Sequence, residues 1–328
     1  MKLNPTTESS EMSSVLNRYL DTDKYQGEIR PLAKAIFYNR FGKHDLFLSN
    51  ADLDKCGWEG DEALEKLPDA AKAKRKFGGK SNQEIKDGIA FKTPRLIIIR
   101  GAKYDDPLFW EDKRPEERGK IYGQVGVIPN LYEEWKNNPD KTIEPPFRKR
   151  RVTMFYIVDE NGVALHKKPI SLATHGGASI KLVEKYQQFL EQLEGAFAKA
   201  FNQSSSTAFD SKQAAAAIWT PTFGSEEYGK DEQSTITVAE EWVTPPEKPT
   251  VKDLEKFFPK STETIETVEG IYDSITPELL YKRYFTACQD EIKYHALAPG
   301  ALDGIKKLPG AEALGERDET GALAGGLT

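Results

Sequence analysis

Between Ala178 and Phe201 the apolar residues Ile180, Val183, Tyr186, Leu190, Leu193, Phe197 and Phe201 recur every three or four positions. That period predicts one long amphipathic helix with a single buried stripe. Gly176-Gly177 precedes it, and Asn202 with Ser204-Ser205-Ser206 follows. A helix of this kind must lay its stripe on something, and the segments on both sides of it read as strands.

Before the helix, Ala35–Asn39 and Asp45–Leu48 are apolar and aromatic around the turn Phe41-Gly42-Lys43-His44, and Ala51–Trp58 reads as a turn or two of helix ending at Gly57. Leu96-Ile97-Ile98-Ile99-Arg100, bounded by Pro94 and Gly101, is a short β-branched run of the kind buried on both faces. Ile121–Ile128 is a further strand, with Gly123 and Gly126 as bends. Arg151–Val158 stops at Asp159-Glu160-Asn161-Gly162, a strong hairpin signal, with Val163–Leu165 returning and Ile170–Thr174 continuing the sheet. Ala214–Thr220 and Thr235–Val243 complete the strands. Residues 68–88 read as a basic, glycine-containing surface loop.

This order predicts an α+β fold: an antiparallel β-barrel or sheet resembling the oligonucleotide-binding barrel, with the long helix inserted and a C-terminal helical segment appended. The expected organisation is a flexible arm (1–14), a mixed β-rich body (15–243), a proline-rich linker (244–250), an acidic helical segment (251–297) and a disordered tail (298–328). Helices are expected at Val251–Phe258 and, with Thr276 as N-cap, at Pro277–Leu297.

Charge divides along the same lines. Of 52 acids and 46 Lys/Arg, residues 225–328 hold 21 and 11, a net of −10; the other 31 and 35 give residues 1–224 a net of +4. Only Cys56 and Cys288 are present, far apart, which points to a reduced, cytoplasmic protein without a disulfide framework. No run approaches the ~18 apolar residues of a membrane span, so no membrane partner is expected.

Two segments combine cations with aromatics. Arg148-Lys149-Arg150-Arg151 leads into a strand that places Thr153, Phe155 and Ile157 on one face and Val152, Met154, Tyr156 and Val158 on the other. The cations suit phosphates, and an aromatic on an open face could stack a base. Lys72, Lys74, Arg75, Lys76 and Lys80 surround Phe77 in the same way. Solvated surface charge explains either segment equally simply.

Catalytic and metal motifs fail one by one. Gly79-Lys80-Ser81 imitates the end of a phosphate-binding loop, but Lys74 stands where its first glycine belongs. Asp159–Gly162 lacks the further ligands of a calcium loop. His44, His166, His175 and His295 are scattered, none at metal-pair spacing, and His166 and His175 read as hydrogen-bonded structural residues. Of the tryptophans, Trp110 in Pro107-Leu108-Phe109-Trp110 is the one expected to be partly exposed. No enzyme activity and no cofactor are expected.

Three blocks carry a family resemblance: Asp45–Leu48 running on to Gly57-Trp58; Thr93–Ile98; and Leu165–Leu172 with the glycine-rich turn and helix after it. On these the chain resembles a family of cyanobacterial proteins of unknown function, which implies no activity or site residues. The layout also looks like phage-type single-stranded DNA-binding proteins, although Ala322–Thr328 is neutral where those proteins concentrate acids. The expected function is non-enzymatic binding of single-stranded nucleic acid through Lys72, Lys74, Arg75, Lys76, Phe77, Lys80, Arg148, Lys149, Arg150, Arg151, Phe155 and Tyr156, with protein partners at the acidic C-terminal segment. The alternative is an assembly component acting through the C-terminal helices.

Overall fold

The structure is a computed structural model that describes residues 32–274, apart from 68, 79–82, 107, 115–120, 125–129, 141–143, 204–208 and 229–233. The expected arm (1–14), Lys80, the helix at Pro277–Leu297 and the tail (298–328) lie outside the described residues.

The first elements are β1 (Ala33–Arg40), β2 (Lys43–Ser49), α1 (Asn50–Cys56), α2 (Asp61–Glu65), β3 (Ala70–Phe77), β4 (Glu84–Phe91) and β5 (Leu96–Arg100). Then come β6 (Leu108–Asp112), β7 (Ile121–Gln124), α3 (Asn130–Asn137), β8 (Phe147–Ile157), β9 (Ile170–His175) and α4 (Gly176–Ala200). The last are α5 (Ser211–Ala215), β10 (Ile218–Trp219), β11 (Pro221–Tyr228), β12 (Ser234–Trp242), α6 (Val251–Leu254) with a 3₁₀ turn after it, and α7 (Thr262–Ser274).

Ten strands form one sheet in the order β10-β5-β8-β9-β1-β2-β4-β3, with β6 also on β8 and β7 on β6; β11 and β12 pair separately. Among the described strands every pairing is antiparallel except β1 with β9. Among the described strands the path ends at β10 and β3, which do not pair with each other, so of the barrel or sheet expected it is a sheet and not a closed barrel.

Helix α4 lies on the sheet with Leu182, Tyr186, Phe189, Leu190 and Leu193 in one core with Phe155, Ile157, Ile170 and Leu172. Each such side chain, fully buried, contributes about 1.5–3 kcal/mol. The buried stripe is rotated from the one read in the sequence: Ile180 and Phe201 are exposed, whereas Leu182 and Phe189 are buried. On the other face of β5 and β8, Ile97, Ile99, Tyr156 and Val158 meet Ala215, Ile218 and Val268. Strand β8 is therefore covered on both sides.

Two further expectations are corrected. Residues 68–88 contain most of a regular hairpin, β3–β4, not a loop; the cations of β3 alternate, with Lys72, Lys74 and Lys76 exposed and Arg75 buried. Ala214–Thr220 is not one strand: Asp210 and Gln213 form a reciprocal capping box that starts α5 instead. Beyond the prolines, Leu254 and Phe257 enter the main core and Val268 packs beneath β5, so the described part of the acidic segment rests on the body.

One bend shapes the candidate site. The β2–β4 ladder ends at Ser49 opposite Gly88, where a Cβ would lie 1.9 Å from the Leu48 carbonyl oxygen. Only glycine admits that approach. Past it, the outer half of the β3–β4 hairpin turns back over β1 and β2, so that Phe77 packs 5.6 Å from Tyr38 and 5.8 Å from Phe47 between ring centroids.

Candidate nucleic-acid interface

The run of four cations is taken apart by the pleat of β8. Arg148 and Arg150 point together at Glu111 of the neighbouring β6: Arg148 donates from Nε and Nη2 at 2.8 and 2.9 Å, Arg150 at 2.5 and 2.6 Å. Burial alone would raise the pKa of Glu111, but the hydrogen bonds and charges of both arginines outweigh it and hold it at about 2. Arg151 is 5% exposed and donates to the carbonyls of Lys103 and Asp106 at 2.7 and 3.2 Å. Lys149 lies on that opposite face, its Nζ 5.9 Å from the centroid of Trp110. Phe155 and Tyr156 are core residues, 1% and 7% exposed, so neither offers a base a stacking surface; alternation assigned their faces but could not reveal that both are covered. Trp110, expected to be partly exposed, is buried as well.

The hairpin cations divide likewise. Lys72 pairs with Asp61 at 2.8 Å and Lys74 with Asp87 at 3.1 Å, both in solvent. They border a groove of about 620 Å³ floored by Leu53, Ala73 and Ile89 and walled by Trp58. Arg75 is buried against Asp45 and does not reach solvent. Phe77 is half-buried, with Lys86 Nζ 5.6 Å from its ring.

What the fold does bring together is the pair of hairpin tips. Arg40 Nη1 donates to the Gly78 carbonyl at 2.5 Å, and Tyr38 Oη donates to the Lys76 carbonyl at 3.3 Å. Phe41, in the β1–β2 turn, has φ of 56° and is 69% exposed. Lys76 Nζ stands 6.0 Å from its ring centroid, at the outer limit of a cation–π contact. Arg40 and Lys43 flank it, and Ile85 is exposed on the other hairpin beside Lys86, which pairs with Glu84 at 3.4 Å. Arg40, Phe41, Lys43 and Lys86 are not among the binding residues expected from the sequence. The available signal was a large aromatic in a turn of the form Arg-Phe-Gly-Lys, where polar residues are usual.

His166, Cys56 and Asp159 each have a local structural setting. His166 accepts the Ile157 N–H at Nε2 (2.9 Å), so its proton lies on Nδ1 and is donated to the Lys168 carbonyl (2.7 Å). Its ring is sandwiched between Trp58 and Tyr156, and burial lowers its pKa to about 4. Burial pushes the Cys56 thiol up to about 12, which removes it as a nucleophile. Asp159 Oδ1 accepts the N–H groups of Asn161 and Val163, shaping the turn. Among the described residues no group of three or more His, Cys, Asp or Glu is arranged to hold a metal ion, and no described helix is long and apolar enough to cross a membrane.

Fold and site together define a mixed α+β protein built on a large open sheet, with a basic, aromatic pair of hairpin tips at one end. The chain belongs to the family described as a domain of unknown function, DUF5895, whose profile matches residues 31–283. No curated protein and no solved structure matches it.

Proposed function

We propose that the protein binds single-stranded nucleic acid without catalysing a reaction, and that it does so at the paired hairpin tips rather than on the sheet face. The observation that carries this reading is Phe41, a phenylalanine 69% exposed among Arg40, Lys43 and Lys76. An exposed aromatic offers a base a π-face whatever its identity, and the cations around it offer neutralisation to the phosphates on either side. A duplex keeps its bases stacked inside and gains only the charge contacts.

The test is fluorescence anisotropy with a labelled oligonucleotide, its duplex and vesicles of anionic lipid. Tighter binding of the single strand, weakened by Phe41→Ala, supports the reading. Equal binding of single strand and duplex refutes it, and so does a preference for vesicles, since a lipid surface would use the same ring and cations without regard to strandedness.

A further inference from the structure

A second group of cations lies at the same end of the sheet. Strands β1 and β9 run parallel, so the Arg40 end of β1 and the His175 end of β9 point the same way; β8, antiparallel to β9, begins there. Among the described residues at that corner Glu111 serves two guanidiniums, Arg148 and Arg150, while the neighbouring Asp112 is taken by Arg114. Their sum is one net positive charge. Lys113, at the end of β6, is occupied by Glu144 at 2.8 Å, a pair open to solvent.

His175 stands opposite Arg150 in the ladder, and its Nε2 is 3.1 Å from Arg148 Nη1. A guanidinium can only donate, so Nε2 accepts and the imidazole is held neutral beside that charge. Its pKa is lowered to about 4, first by partial loss of hydration where one edge of the ring is packed, then by Arg148 and Arg150, with Lys113 adding to the effect and Glu111 opposing it. His175 is exposed, and the Arg148 side chain is 28% exposed. Of the five N–H groups of a guanidinium, Arg148 uses three, two on Glu111 and one on His175.

We infer that Arg148 and His175 form a phosphate subsite, which takes a backbone phosphate of the same single strand whose base stacks on Phe41. This rests on the nucleic-acid reading given above. The phosphate oxygen enters between Nη1 and Nε2 and accepts from both, the histidine taking up a proton from solvent as it does so. Glu111 is a positioning residue here: it fixes the direction of Arg148 while cancelling only half of the paired charge.

The test follows the imidazole C–H resonances of His175 by NMR across pH, with chloride, inorganic phosphate or a single-stranded oligothymidylate at matched ionic strength. Phosphate and the oligonucleotide should each raise the His175 pKa by a unit or more, and chloride should not. Arg148→Met should abolish the rise; His175→Gln, at an exposed position, should weaken oligonucleotide binding several-fold with the fold unchanged by circular dichroism. Phe41→Ala should weaken the oligonucleotide but leave the response to phosphate intact. An unchanged His175 titration in both ligands overturns the subsite, even if Phe41→Ala still shows the tip to be used. A rise with phosphate alone overturns its assignment to the strand.

Discussion

Arg75 Nη2 lies 2.5 Å from Asp45 Oδ2, and both side chains are about nine-tenths covered. The guanidinium also sits 5.1 Å from the ring centroid of Tyr38. This pair ties the returning half of the β3–β4 hairpin to β2, and so holds Lys76 beside Phe41. Arg75→Met should cost about 3–5 kcal/mol, because it strands a buried carboxylate. The double variant Asp45→Leu/Arg75→Met should recover most of that loss in urea denaturation. By contrast, Lys72→Ala and Lys74→Ala remove only exposed pairs and should stay within about 0.5 kcal/mol of the parent.

Two glycines with different surroundings make a second test, of the bend that brings the tips together. Gly88→Ala would drive a Cβ into the Leu48 carbonyl, a backbone atom that cannot swing aside. A loss of at least about 3 kcal/mol is expected, or failure to fold. Gly42 has φ of +67° but open space around it, so Gly42→Ala should cost only about 1–2 kcal/mol of backbone strain. Equal losses in thermal or urea unfolding would contradict the bend described at Gly88.

The buried imidazole of His166 makes stability depend on pH in a definite direction. Its folded pKa is about 4, well below the ordinary histidine value of about 6.5, so the native state holds it neutral while the unfolded chain takes up a proton first. Its contribution is complete above pH 6.5 and is lost as pH falls from 6.5 towards 4, by up to about 3 kcal/mol. Urea unfolding at pH 7, 6, 5 and 4.5 should show that decline, and His166→Gln should flatten it. A profile of the same slope in the variant would place the effect elsewhere.

Local pattern made much of the fold readable. The β-branched run Leu96–Arg100, the Asp159–Gly162 turn and the helix after Gly176-Gly177 each announce themselves through period or turn chemistry, and each is present. The β3–β4 hairpin was hidden because its inward positions are Ala73, Arg75 and Phe77 among exposed lysines, so the strand shows little apolar signal and its composition resembles a loop. The candidate site was the harder part. Arg148 through Arg151 are adjacent in sequence, yet the pleat sends them to opposite faces and to Glu111, Lys103 and Asp106, partners that no local reading could supply. Phe41 and Lys76 meet only because Gly88 lets a hairpin fold back across the sheet, a relation among residues as many as 47 positions apart.

The central claim is that exposed Phe41, with Arg40, Lys43 and Lys76 around it and Lys86 further along the second hairpin, grips a single strand. The most direct measurement is the affinity of a labelled oligothymidylate across a salt series, for the parent chain and Phe41→Ala. With about four phosphates neutralised, log K should fall against log salt with a slope of about −3. Phe41→Ala should weaken binding about 5- to 150-fold, the loss of one stacked base, while leaving that slope unchanged. An affinity indifferent to Phe41→Ala, or a parent chain that binds the duplex as tightly as the single strand, would contradict the account.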